Sequence, residues 1–130
     1  MNDLLLTLNP EQLSAVKTTE GYVRVIAGAG TGKTKTLTAR YCYLVSELGI
    51  SPANILTVTF TNRAANEMKS RVRAILGGLD LGLVSTIHAF CTRFLKEEIN
   101  ALGYPKSFII IDTEDEREIL QRIFADMKIT

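Results

Sequence analysis

The sequence is short of several things, and each shortage argues against a class of protein. It has two cysteines, Cys42 and Cys91, in no CxxC and no paired spacing. That argues against a disulfide framework or a zinc site and fits a reducing, cytoplasmic compartment. Charge of one sign is not in excess. The net charge is +1 over 130 residues, so any nucleic-acid binding must come from a local site. No apolar run approaches the length that spans a membrane. The Met1–Leu8 stretch has no basic region, and its apolar run is too short for a secretory signal. There is no internal repeat and no low-complexity segment. What is left is an ordinary globular composition, 46% hydrophobic and 22% charged, enough for one domain with a core.

Against that plain background one stretch stands out. The apolar run from Val23 to Ile26 leads into Ala27-Gly28-Ala29-Gly30-Thr31-Gly32-Lys33-Thr34 and then a helical pattern. Strand, glycine-rich turn and helix N-terminus form the order of a P-loop. Glycines permit positive φ and bring backbone N–H groups close to an anion. The unpaired N–H groups at Gly32 to Thr34 add positive potential. Lys33 would reach the β- and γ-phosphates, and the Thr34 hydroxyl would ligate Mg²⁺. One position departs from the pattern: Ala27 stands where the first glycine usually does. Alanine permits the turn if its φ is negative.

The rest of the chain reads as strands alternating with helices. Asn9-Pro10-Glu11-Gln12 opens a helix to about Lys17, and Gln12 is placed to complete a capping box with Asn9. Tyr22–Ala27 is the first expected strand. A helix follows from about Gly32 to Leu48, with Leu37, Tyr41, Leu44, Val45 and Leu48 on one face and Gly49 as its stop. Ile55–Phe60 is expected as a strand buried on both sides. The next helix presents Ala64, Ala65, Met68, Val72 and Ile75, and Glu67 pairs with Arg71. Lys69 and Arg73 read as its solvated face. Leu83–Ile87 is a third strand, and a helix follows to about Ala101. Phe108–Ile111 is a fourth strand. Thr113 is expected to cap the last helix, with Glu116 three residues on completing a capping box. Its apolar stripe is Ile119, Leu120, Ile123, Phe124 and Met127. This alternation predicts an α/β fold with a parallel sheet. It also predicts that the P-loop, Phe60–Arg63 and Ser85–Phe90 face one crevice at the carboxyl edge.

Four segments together resemble a known family: Leu8–Gln12, Ala27–Thr34, Thr59–Met68 and Ser85–Phe90 stand in the order and spacing of the UvrD/Rep-type DNA helicases of superfamily 1. The resemblance implies a P-loop NTPase (RecA-like) parallel sheet flanked by helices, present as a partial domain. Residues 1–112 would be the N-terminal part of the first motor domain, and 113–130 a helix leading into an inserted helical subdomain. It implies ATP with Mg²⁺, single-stranded and duplex DNA as partner, and a second motor domain elsewhere in the protein. Gln12 would read the adenine edge. Ala27, Gly28, Ala29, Gly30, Thr31, Gly32, Lys33, Thr34 and Lys35 would line the nucleotide site. Phe60, Thr61, Asn62, Arg63 and His88 would contact DNA. The bland readings stand beside these: Gln12 as a cap, Phe60 as core, His88 as a packed residue.

The resemblance has two departures. The family commonly carries arginine after Gly-Lys-Thr, stacked on the adenine; here it is Lys35, whose ammonium stacks less well. Ile87 before His88 also resembles the related AddA/RecB helicase–nuclease subunits, so the branch stays open. A small nucleotide kinase and a non-enzymatic nucleotide-binding module remain as rivals. The acidic Mg²⁺ motif and the arginine finger of the family are not found in these residues. Asp112–Asp115 reads as a helix cap instead. The 130 residues alone are therefore expected to be inactive as an ATPase, with an apolar face or sheet edge uncovered.

Overall fold

The computed structural model describes residues 2–78 and 80–128. They form two compact units, one up to Cys91 and one from Thr92. The first holds α1 (Asn2–Leu6), α2 (Pro10–Lys17), α3 (Lys33–Ser46), β1 (Leu56–Thr59), α4 (Asn62–Leu76), β2 (Leu83–Thr86) and the start of α5 (Ile87–Glu98). The second holds the rest of α5, a 3-10 turn at Ile99–Leu102 and α6 (Thr113–Asp126).

The fold is α/β with a parallel sheet, as expected, but among the described residues the sheet has two strands, not four. β1 and β2 pair in parallel, with Leu56 opposite Leu83 and Thr59 opposite Thr86. Residues 22–27 and 108–111 are not strands. Both stretches have the apolar content of a strand, but a parallel strand exists only where a neighbour completes its ladder. Without one, Val25 is 55% and Ile26 85% exposed, and Ile109 and Ile110 are exposed too. β1 is likewise covered on one side only. Thr57 is buried, while Leu56 and Val58 are about half exposed. The expected uncovered apolar face is therefore present.

The core lies between α3, α4 and the sheet. Tyr41, Cys42, Met68, Val72, Leu81 and Val84 are buried together, flanked by Leu4, Val45, Ile55 and Leu76. The α4 face follows the expected spacing, with Ala65, Met68 and Val72 buried. α3 departs from it. Its buried residues are Thr38, Ala39, Tyr41 and Cys42, while Leu37 and Leu48 are exposed. The helix is packed on two sides, against α2 and α4, so its buried surface is wider than one apolar stripe. The Tyr41 hydroxyl donates to the Leu81 carbonyl at 2.7 Å, satisfying a polar group that the core would otherwise strand.

Asn9 caps α2 and the Gln12 box is complete. α6 is shifted by one residue: Asp112 is the cap, and its carboxylate accepts from the Glu114 and Asp115 amides. Asp115, not Glu116, closes the box by accepting from the Asp112 amide. Aspartate caps at least as well as threonine. Glu67–Arg71 is formed, but this exposed i,i+4 pair contributes only a few tenths of a kcal/mol. No helix among the described residues is long and apolar enough to cross a membrane.

The two cysteines differ sharply. Cys91 is exposed and Cys42 is buried. Burial disfavours the thiolate and pushes the Cys42 thiol up to about 11. In native protein, Cys91 is expected to react with a thiol reagent at pH 8 while Cys42 reacts only on unfolding, as mass mapping of the labelled peptides would show. The same shift sets a sign for stability. Above pH 9 the unfolded thiol ionises while the folded one keeps its proton, so the unfolded state binds fewer protons and stability falls as pH rises. Desolvation raises Tyr41 above its ordinary value and works in the same direction. The unfolding free energy from denaturant titrations should drop between about pH 9 and 11, by on the order of 2–3 kcal/mol for Cys42.

Candidate functional site

The glycine-rich turn closes onto α3 as its sequence demands. Gly30 and Gly32 have φ of +75° and +85°, a region closed to most side chains. Gly32 is also tight: a Cβ there would stand 2.8 Å from Gln12 Nε2. Among the described residues Lys128 is the one non-glycine with positive φ, so Ala27 meets the condition set for it. Gly32 is the N-cap of α3 and supplies no side chain, so no side-chain cap covers the first amides of this fourteen-residue helix. Amides of that kind, with the helix dipole behind them, attract an anion.

The Lys33 ammonium folds back over the loop, donating to the Ala27 carbonyl at 3.3 Å and to the Gly28 carbonyl. Thr31 Oγ1 donates to the Gly28 carbonyl at 2.7 Å and tightens the same curl. Thr34 is exposed at the start of α3. Its hydroxyl suits Mg²⁺, which takes few protein ligands and completes its shell from phosphate and water. No cluster of three or more His, Cys, Asp or Glu that could hold a metal occurs among the described residues. The carboxylates of Asp112 and Asp115 are engaged in their cap.

Gln12 joins this loop from a distant stretch of sequence. Its Oε1 accepts from the Asn9 amide at 3.1 Å, the capping role, while its Nε2 donates to the Thr31 carbonyl at 3.0 Å. Gln12 thus completes the cap with one end of its amide and meets the loop with the other. Beside them lies a cavity of about 730 Å³, in the range of small-molecule sites. Gln12, Ala27, Gly28, Thr31 and Lys33 line it. So do Glu11, Leu37 and Arg40, which sequence reasoning did not select. Nothing in the local pattern marks them; they reach the cavity because α2 packs on α3. Lys35 is not among the lining residues. Its ammonium donates to the Thr7 carbonyl at 2.6 Å, after α1.

The second group gathers elsewhere. Because β1 and β2 run parallel in register, Phe60–Arg63 and His88 emerge at the same sheet edge. Phe60 is 96% exposed, so the core reading does not hold for it. Thr61 caps α4, its Oγ1 accepting from the Ala64 amide at 3.1 Å. Asn62, Arg63 and His88 are exposed. The single crevice expected for all three segments is not what the sheet builds. The P-loop is carried by α3 rather than by a strand of the sheet, and none of these five residues lines the cavity.

A glycine-rich Gly-Lys-Thr turn at an uncapped helix N-terminus, beside a roomy cavity, defines an α/β unit suited to an anionic ligand. More specifically, the chain belongs to the UvrD/REP helicase N-terminal domain family, which matches residues 8–130. It is similar to the ATP-dependent DNA helicase PcrA of Bacillus subtilis, 48% identical over 126 residues, which is 96% of this chain and 17% of that protein. It is also similar to the PcrA proteins of Staphylococcus aureus, 43% identical over 130 residues, and Staphylococcus epidermidis, 42% identical over 130 residues. In both cases 99% of this chain and 18% of the relative are covered. The chain thus spans less than a fifth of the length of the curated relatives it matches.

Proposed function

We propose that these residues are the ATP-binding N-terminal portion of an ATP-dependent DNA helicase that couples ATP hydrolysis to 3′–5′ translocation on single-stranded DNA and to duplex unwinding. The observation that carries this reading is the Gly-Lys-Thr turn at the uncapped start of α3, with Gln12 held against it, in a chain of this family. On this reading the amides of Gly30 to Thr34 cradle the phosphates. Lys33 exchanges the loop carbonyls for the β- and γ-phosphates, and Gln12 meets the adenine edge with an amide's paired donor and acceptor. The Thr34 hydroxyl would hold Mg²⁺, which would supply charge neutralisation at the phosphates. The acidic metal ligand and the arginine finger come from the rest of the protein, whose second motor domain closes on this one. Residues 1–112 belong to the first motor domain and 113–130 lead into its inserted subdomain; the protein works in the cytoplasm.

DNA then runs along the sheet edge. Phe60 offers a stacking platform for any base, Asn62 and Arg63 suit phosphate and sugar, and Thr61 and His88 border the same track. Because Phe60 is exposed, its truncation leaves the core intact. In the full-length protein, Phe60→Ala is expected to weaken single-stranded DNA binding by about 1–3 kcal/mol. Asn62→Ala with Arg63→Ala should act in the same direction, and neither should change ATP binding without DNA. Unchanged DNA affinity in both variants, measured by fluorescence anisotropy, would instead favour a nucleotide-binding module that never touches DNA.

A further inference from the structure

The helix that carries Gln12 is short. α2 has eight residues, too few to hold its shape or place by itself. At its N-terminal end Gln12 ties it to the P-loop through the Thr31 carbonyl. At its other end, where Val16 is buried, one side chain makes the polar tie. Arg40 Nη1 donates to the Ala15 carbonyl at 2.7 Å and to the Thr18 carbonyl at 2.6 Å. These carbonyls belong to the last turn and C-cap of α2, where acceptors lack partners within the helix and the dipole favours a cation. Arg40 therefore meets α2 where a guanidinium is most strongly held.

Arg40 also sits on α3, seven residues after Lys33. Two turns of helix separate the two cations by about 10 Å along the axis. One rigid helix thus carries Lys33 at one end and the anchor of the Gln12 helix further along, and both side chains line the same cavity. If Arg40 is lost, α2 keeps its own cap and the buried Val16 but loses both hydrogen bonds at its C-terminal end, which loosens its register against α3. Arg40 itself bonds α2 and not Gly28 to Thr34, and that loop meets Gln12 through the Thr31 carbonyl rather than through the amides that would face a phosphate.

We propose that Arg40 is a positioning residue: by fastening the last turn of α2 to α3 it holds Gln12 in register with the P-loop and so sets selectivity for the nucleotide base. The inference rests on the reading of Gln12 as the base-contacting residue. It separates base recognition, which depends on Arg40, from triphosphate binding, which does not.

The test uses the full-length protein, with ATP and GTP as competing substrates and inorganic tripolyphosphate as an inhibitor that has no base. Arg40→Ala is expected to raise KM for ATP and reduce the ATP-over-GTP preference, each by about tenfold, with kcat at saturating ATP largely kept. Inhibition by tripolyphosphate should stay within about twofold of wild type, since a site that binds the phosphates alone loses no direct contact. Arg40→Lys, whose ammonium carries three donors, should recover most of the preference. Gln12→Ala should abolish it. If Arg40→Ala weakens tripolyphosphate as much as ATP, the role is merely structural and the proposal fails. It fails too if Gln12→Ala loses the preference while Arg40→Ala keeps it. If Gln12→Ala keeps the preference, the reading of Gln12 falls, and the role of Arg40 falls with it.

Discussion

Replacing Lys33 by alanine is expected to lower ATP turnover by the full-length protein by a factor on the order of 10²–10³. The physical ground is the position of its ammonium. It is held within the curl of the loop by the Ala27 and Gly28 carbonyls, at the start of a helix whose first amides have no side-chain cap. On the proposed reading this ammonium exchanges those carbonyls for the β- and γ-phosphates and offsets the negative charge that develops on the transferred phosphoryl group. Removing it strips a donor from the transition state, so kcat falls together with kcat/KM. The fold is expected to survive, because Lys33 is exposed and takes no part in the core. Steady-state hydrolysis with circular dichroism as the folding control would decide the matter. The isolated 130 residues are expected to show no Lys33-dependent turnover at all, because on the proposed reading the acidic metal ligand and the arginine finger come from the rest of the protein; a finger alone is worth about 10³–10⁵ in rate. Turnover by the short chain that disappears in Lys33→Ala would overturn the reading that catalysis is divided between this unit and the rest of the protein.

The largest loss of stability is expected at Gly82, a residue far from any candidate site. Its φ is +58°, and a Cβ built there would stand 2.2 Å from the Pro52 carbonyl oxygen and 2.8 Å from its carbon. Both obstacles are backbone, which cannot rotate aside as a side-chain tip can. Gly82→Ala must therefore push the start of β2 away from the Pro52–Asn54 turn. Leu81, just before it, is buried in the core and its carbonyl accepts the Tyr41 hydroxyl. The displacement thus reaches strand register, a core side chain and a buried hydrogen bond together. Left-handed strain and overpacking combine to a cost of about 3 kcal/mol or more. Gly78→Ala is the control: nothing lies within 4 Å of a Cβ there, and the change should stay within about 0.5 kcal/mol. Urea denaturation of the two variants side by side measures the difference. Equal midpoints would show that the Pro52 turn yields without cost.

Neither consequence has the same standing in the bare sequence. The role of Lys33 could be read there, because Gly-Lys-Thr after an apolar run names a turn, a helix start and a cation in one continuous stretch. Gly82 could not. Two residues before Val84 it looks like ordinary loop punctuation, and its obstacle lies thirty residues away in the chain. The same division runs through the candidate site. Gln12 was visible as a cap and, by resemblance, as a base reader, but its bond to Thr31 was not. Arg40 carried no signal, since an arginine in the middle of an amphipathic helix is usually a solvated one.

What the sequence determined by itself is whatever local physics can complete. The cap at Asn9, the helix of α4 with its buried face, and the turn from Gly28 to Thr34 depend on hydrogen bonds and steric limits spanning three or four residues. Those features stand as expected, apart from the one-residue shift at Asp112. Tertiary structure alone decided which apolar stretches became strands. Val23–Ile26 and Phe108–Ile111 have strand composition, yet among the described residues only Leu56–Thr59 and Leu83–Thr86 are paired. A strand is defined by its neighbour's hydrogen bonds, and that neighbour comes from elsewhere in the chain. For the same reason tertiary structure alone set Gln12 against Thr31, placed Arg40 across two helices, and turned Phe60 outward at the sheet edge beside His88. The P-loop is written in one stretch of residues; the site around it is assembled from stretches that meet only when the chain is folded.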